Sequence, residues 1–149
     1  DPTVKNYHWL DLEMCLFDAY DRGADTVVLV DAKGNITEWP GFNLFAILDG
    51  KLITPDRGTL EGVTRRTALE IAKRVLNIPI VQGEIPAKRL HQEAEIFLTS
   101  TAGGILPVTR LDGLPVSGGS IGPVTKRFED AYWACHADPE FSTPVNQLI

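Results

Sequence analysis

Paired cysteines, metal-ligand spacings, long apolar runs and clustered positive charge are all scarce in this chain. Its two cysteines, Cys15 and Cys135, stand at opposite ends with no paired spacing and no secretory signal ahead of them, which excludes a disulfide framework and leaves two buried thiols in a cytoplasmic protein as the expectation. The three histidines, His8, His91 and His136, have no ligand spacing and no cysteine pair beside them, so no metal site is expected. No apolar run approaches the ~20 residues of a membrane-spanning helix. The 14 Lys+Arg against 20 Asp+Glu give a net charge of −6, and the basic residues are scattered. Nucleic acid and anionic membrane are therefore poor partners, and small molecules or proteins are better ones. The Gly-x-Ser-x-Gly spelling occurs at 118–122 in a turn-rich segment rather than a strand-to-helix elbow, which gives little support to a serine hydrolase. Gly118-Gly119-Ser120-Ile121-Gly122 lacks the context of a phosphate-binding loop and reads as a turn-rich connection.

What is present is 149 residues at 44% hydrophobic content, enough for one domain with a substantial core. Residues 6–22 read as a helix on the spacing of Trp9, Leu12, Leu16, Ala19 and Tyr20, ended by Gly23. Thr26-Val27-Val28-Leu29-Val30 reads as a strand that pairs with Ile36-Thr37-Glu38-Trp39 across the turn at 31–35. Asp49-Gly50 predicts a two-residue hairpin turn between strands 43–48 and 51–54. A helix over 64–76 carries Ala68, Leu69, Ala72, Val75 and Leu76 on its buried stripe. Beyond it, the pattern predicts a strand near 78–85, a short helix near 86–92, strands at 95–99 and 105–111, a turn at Asp112-Gly113, and a last helix at 123–136 opened by Pro123 with Val124, Phe128, Ala131 and Ala134 on one face. Hairpins with intervening helices point to a single mixed α/β (α+β) domain over 1–149 rather than a doubly wound parallel sheet.

Four features carry chemistry. Lys5 is an amine of the type that condenses with an aldehyde and can afterwards move a proton, although most lysines are solvated surface residues. Glu38 lies on an otherwise apolar strand, where it is either an outward-facing glutamate or a carboxylate awaiting a cationic partner such as a protonated pyridine nitrogen. Gly62-Val63-Thr64 opens a helix whose backbone amides and dipole favour an anion, with a plain N-cap threonine as the simpler reading of Thr64. Ser100-Thr101-Ala102 precedes Gly103-Gly104 and forms either a plain loop or the second wall of a phosphate site. Together they suit a phosphorylated, pyridine-containing aldehyde. Lys5 stands close to the start of the chain, where geometry is hard to hold, so a piece of a longer protein is expected.

The wording of these motifs resembles the class IV, fold type IV pyridoxal-phosphate aminotransferases over essentially the whole chain. Val4-Lys5-Asn6, Thr37-Glu38, Gly41-Phe42-Asn43-Leu44-Phe45, Asp49-Gly50-Lys51-Leu52-Ile53-Thr54-Pro55, Leu60-Glu61-Gly62-Val63-Thr64-Arg65, Glu95-Ile96-Phe97-Leu98-Thr99-Ser100-Thr101-Ala102 and Gly122-Pro123-Val124-Thr125 carry the likeness. The resemblance implies the large C-terminal domain of such an enzyme: a mixed sheet or pseudo-barrel with flanking helices, binding pyridoxal 5'-phosphate. It further implies transfer of an amino group between an amine or amino acid and a 2-oxo acid. The related aminodeoxychorismate lyase chemistry, and a non-catalytic domain or fragment, are the alternatives.

By matching position, the resemblance makes Lys5 the lysine that carries the cofactor and moves the proton, and Glu38 the partner of the ring nitrogen. It puts Leu60 on one ring face, with Val63 and Thr64 (through backbone amides) and Thr101 on the phosphate. Trp9, Phe42, Ser100 and Ala102 fall on the substrate side. Phe42, where branched-chain enzymes usually carry glutamate, together with Trp9, is more similar to the (R)-selective amine transaminase branch. Trp39 departs from the glycine common after the key glutamate. The family's small N-terminal domain has no counterpart in this chain, so a separate N-terminal fragment, a homodimer, or both are implied as partners.

Overall fold

The central strand is the most apolar stretch of the chain and is buried along its whole length, which organises everything else. The computed structural model describes residues 4–5, 9–37, 40–92 and 95–144. A five-stranded mixed sheet runs in the order β3-β2-β1-β4-β5. Its strands are β1 (Asn43–Leu48), β2 (Lys51–Thr54), β3 (Ile80–Gln82), β4 (Glu95–Ser100) and β5 (Gly104–Val108). All neighbours are antiparallel except β2 and β3. The fold class is therefore mixed α/β, as the motif order predicts, with an open sheet among the described residues rather than a closed barrel.

Alternation along β1 sends Leu44, Ala46 and Leu48 into one apolar cluster and Phe45 and Ile47 into another, one on each face of the sheet. The first cluster is closed by Ile36, Ile85, Leu90 and Val116 from loops and short turns. The second is closed by helices α2 (Val63–Ile71) and α3 (Pro123–Ala134) through Ala68, Ile71 and Phe128. Burial on both faces explains why a continuous apolar run, and not an alternating one, encodes β1.

The Asp49-Gly50 hairpin forms with φ of 51° and 70° at its two central residues, the positive pair that a type I′ turn needs. Asp112-Gly113 repeats this with φ of 49° and 76°, joining β6 (Arg110–Leu111) to β7 (Leu114–Pro115) as a separate small ribbon. The strand expected over 105–111 is thus two strands that belong to different sheets.

Several elements differ from the sequence reading. Helix α1 spans Leu10–Asp21 and ends at Gly23 with φ of 74°, but only Ala19 of its stripe is buried and Tyr20 is exposed, while residues 6–8 lie outside the described residues. The strand expected at 26–30 is reduced to one bridge, Val30 to Ile36, plus a hydrogen bond from the Thr37 amide to the Leu29 carbonyl. Among the described residues this segment pairs with no strand of the sheet, and Val28 packs on the first cluster from coil. The helix beyond α2 widens into π turns at Ala72–Leu76, which swings Val75 outward, and Asn77 closes it in the left-handed region with φ of 52°. Ala134 is exposed and Cys135, in a final 3-10 turn, takes the buried place. Burial pushes the Cys135 thiol above its ordinary value, whereas Cys15 is only half-buried. No described helix is long and apolar enough to cross a membrane.

The turn at 31–35 is built around Asp31. Its Oδ1 accepts the Lys33 and Asn35 amides, each at 2.8 Å. The Asn35 backbone bond, with lesser help from Lys33, holds the carboxyl below its ordinary value. A depressed carboxyl contributes stability that is complete above the unfolded value, about pH 4, and is lost as pH falls through the lower folded value. The urea midpoint difference between the parent and Asp31→Ala is accordingly expected to be constant from about pH 7 to 5 and to shrink toward about pH 3. A difference that persists at the acid end contradicts an ionised-carboxylate turn.

Candidate functional site

One cavity of about 510 Å³ opens at the end of the sheet where β1 begins and β4 ends. Its walls gather pieces far apart in sequence: Lys5 and Trp9 before α1, Phe42 and Asn43 at the start of β1, Leu60 and Gly62 before α2, Val63 and Thr64 in its first turn, and Thr99, Ser100 and Thr101 where β4 turns into β5. Eight of the ten residues predicted for the site therefore line it. Ala102 does not; it sits exposed on the β4–β5 turn, outside the cavity wall. Glu38 lies outside the described residues, as does Trp39, although Thr37 lines the cavity.

The amine and the anion-binding features share this one space. Helix α2 starts at Gly62, which is extended (φ −62°, ψ 145°), with no side-chain cap and no acidic residue in the first turn. Its first amides have no partner within the helix and carry the positive end of the dipole toward the cavity. Gly62 is needed here for close approach, since a Cβ would lie 2.3 Å from Asn43 Oδ1. The helix start is held down by Arg65, whose side chain is 1% exposed. Its guanidinium donates to both Glu61 carboxylate oxygens (2.8 and 2.9 Å), to the Pro55 carbonyl (2.9 Å) and to Gln82 Oε1 (3.1 Å). Because the Glu61 carboxylate is itself solvent-exposed, the ion pair adds little net stability. The forked set of acceptors instead fixes the geometry of the turn leading into α2.

The facing wall is a turn. Ser100 Oγ accepts the Gly103 amide at 2.9 Å, which shapes the turn and leaves the hydroxyl proton available to the cavity. Thr99 is buried, and its Oγ1 has no partner among the described residues. Gly104 follows with φ of 64°, where a Cβ would also strike the Tyr132 ring at 2.6 Å.

A second glycine-led helix start shows what a filled anion site looks like in this fold. At α3, the Glu95 carboxylate accepts the Val124 and Thr125 amides at 3.1 and 2.6 Å. A Cβ on Gly122 would lie 2.2 Å from Glu95 Cδ, so that glycine makes room for the protein's own anion. Gly62-Val63-Thr64 has no such carboxylate among the described residues.

Asn43, Arg65 and Thr99 stand within the motifs that carry the resemblance, but nothing local in the sequence gives them a role in the site. Asn43 and Thr99 sit in apolar strand runs, and Arg65 looks like any helical arginine until its long-range acceptors are known. Among the described residues no group of three or more His, Cys, Asp or Glu is placed to hold a metal ion.

The family model for Amino-transferase class IV matches residues 1–111. A probable branched-chain-amino-acid aminotransferase of Aquifex aeolicus (strain VF5) is 34% identical over 118 residues, 78% of this chain and 38% of the relative. The branched-chain-amino-acid aminotransferase of Escherichia coli (strain K12) is 36% identical over 118 residues, again 78% of this chain and 38% of the relative. Among solved structures, the branched-chain amino acid aminotransferase from Thermobaculum terrenum in its PLP form superposes with a TM-score of 0.83 at 29% identity, over 89% of this chain and 44% of that one. The chain thus spans less than half the length of these relatives. With a family model covering 1–111 and a fold that superposes over most of its length, the chain belongs to the class IV aminotransferases.

Proposed function

We propose that this chain is the pyridoxal 5'-phosphate-holding part of a transaminase that moves an amino group between an amine or amino acid and a 2-oxo acid. The observation that carries this reading is the placing of the Lys5 amine and the uncapped start of α2 on one cavity. The residues fit the group. The open amides of Val63 and Thr64 suit a phosphate, Thr101 and the partnerless Thr99 hydroxyl offer further donors, and about 510 Å³ is in the range of small-molecule sites.

Bound there, pyridoxal 5'-phosphate supplies an aldehyde that condenses with amines and a ring that accepts electron density from a carbon losing its proton. The chain's own residues do the rest. With that group bound, Lys5 would hold it through Nζ, and the amine, once freed by an incoming donor, would carry the proton from the donor's α-carbon to the former aldehyde carbon on the same face. Leu60, which lines the cavity, would bound one face of the ring, and Glu38 would be the partner of its nitrogen. Val63, Thr64 and Thr101 would hold the phosphate end, which keeps the group oriented toward Nζ. Trp9, Phe42 and Ser100 bound the donor's side of the cavity.

Branched-chain names among the relatives favour donors with apolar side chains. The Phe42 and Trp9 wall suits them as well. An (R)-selective amine donor is the second reading, favoured by Phe42 in place of the glutamate usual in branched-chain enzymes. Activity of the whole protein is assigned to a homodimer completed by an N-terminal part.

Addition of pyridoxal 5'-phosphate is expected to produce visible absorbance, and borohydride reduction followed by peptide mapping should place the pyridoxyl group on Lys5. Labelling at another lysine, or no band at all, overturns the assignment. Product analysis with L-leucine and with (R)-1-phenylethylamine, each with a 2-oxo acid, then separates the donor classes. Pyruvate release without amino transfer points to the lyase instead.

A further inference from the structure

We propose that Asn43 is the positioning residue for the phosphate half of the site, holding the lead-in to α2 at a set distance from the β4–β5 turn. This rests on the functional reading above. Asn43 opens β1, a strand otherwise made of apolar residues, and it is buried. A buried carboxamide is tolerated only when its donors are satisfied. Both Nδ2 hydrogens are used: one goes to Thr59 Oγ1 and the other to the Leu60 carbonyl, each at 2.8 Å. Its Oδ1 faces residue 62, where only a glycine leaves room for it. The side chain thus clamps residues 59–62, which deliver Leu60 and the α2 amides to the cavity.

The backbone of the same residue fixes the opposite wall. Asn43 is in register with Thr99, after which Ser100 and Thr101 leave β4 for the cavity. One residue therefore sets the separation between the two walls, its side chain holding one and its main chain the other. Lys5 is reached by neither bond. Loss of the clamp should loosen the grip on phosphate while leaving the chemistry of the amine in place.

The test uses three probes on the whole chain: pyridoxal 5'-phosphate, pyridoxal without its phosphate, and inorganic phosphate as competitor. Asn43→Ala is expected to raise the Kd for pyridoxal 5'-phosphate about tenfold or more and to weaken phosphate competition in parallel. The Kd for pyridoxal, which depends on Leu60 but not on the α2 amides, should rise by no more than about threefold, and borohydride should still label Lys5. Thr59→Val, which removes one acceptor and little volume, should shift the same probes in the same direction by less. Gly62→Ala should weaken phosphate binding in the parent but add little to Asn43→Ala, because the Oδ1 it would strike is gone.

Equal losses for pyridoxal and its phosphate would show a merely structural asparagine and overturn the proposal. So would unchanged phosphate affinity, or an undiminished Gly62→Ala penalty in the Asn43→Ala background. Where Asn43→Ala does not fold, Thr59→Val decides by the same criteria. A parent chain that is never labelled at Lys5 defeats the functional reading instead, and the phosphate arm still judges Asn43.

Discussion

Replacing Lys5 with alanine is expected to reduce amino transfer by about a thousandfold or more, the combined loss of a covalent anchor and a positioned proton carrier. The two roles can be separated. Phosphate anchoring depends on the start of α2 and the β4–β5 turn, neither of which includes Lys5, so Lys5→Ala should bind inorganic phosphate as the parent does. Pyridoxal 5'-phosphate should still bind, more weakly, but borohydride should no longer fix it to the protein. Added methylamine should restore part of the proton movement in Lys5→Ala, since a small amine can enter a cavity that is already about 510 Å³ with the Lys5 side chain in place. Single-turnover measurements in the presence of donor, with and without methylamine, check this. Retention of more than about a tenth of the parent rate without added amine would remove Lys5 from the chemistry, because a positioned acid or base contributes at least about a hundredfold.

How much of this is legible in the sequence depends on whether a feature is local. Asp49-Gly50 and Asp112-Gly113 announce their turns because two consecutive positive φ values are demanded within two residues. Gly62-Val63-Thr64 announces a helix start for the same reason: caps and dipoles act over one turn. The strand expected at 26–30 fails because β-branched composition says only that a segment tolerates extension, and the ladder it needs is supplied by the rest of the fold. A regular helical period puts Val75 on a buried stripe, and the π turns at 72–76 do not keep that period. Within the site, the chemistry-bearing side chains are readable by type and by resemblance. Asn43, by contrast, acts through partners 16 and 17 residues away, and Arg65 through partners 10 and 17 residues away. Those separations close only once β1, β2, β3 and α2 are packed. The contrast between the two glycine-led helix starts is equally hidden, because nothing local says that Glu95 will reach the amides of Val124 and Thr125.

The second large effect lies in the core. Phe97→Ala is expected to destabilise the chain by about 3–5 kcal/mol, as large-to-small changes at fully buried aromatics do. Phe97 is completely buried on β4, stacked on Phe45 of β1 at 5.1 Å between ring centroids with planes 12° apart, and in tilted contact with Phe128 of α3 at 5.0 Å. Its loss removes the middle of a three-ring stack that joins two adjacent strands to a helix. No single neighbour can collapse into the space, because Phe45, Phe97 and Ile105 belong to strands locked in register. Against a total of about 5–15 kcal/mol for a domain, such a loss leaves little margin. Phe97→Leu, which keeps much of the volume, should cost distinctly less. Urea unfolding of the three proteins at one pH checks the ranking, and a Phe97→Ala loss below about 1 kcal/mol would show that the stack is not the tie between sheet and helix. The consequence reaches the site along the strand. Phe97 lies two residues before Thr99 and three before Ser100, so the order of the cavity's turn wall depends on β4 holding its register with β1. Phosphate affinity of Phe97→Ala, measured well below its unfolding midpoint, should therefore fall even while the chain remains folded, and that of Phe97→Leu should stay close to the parent.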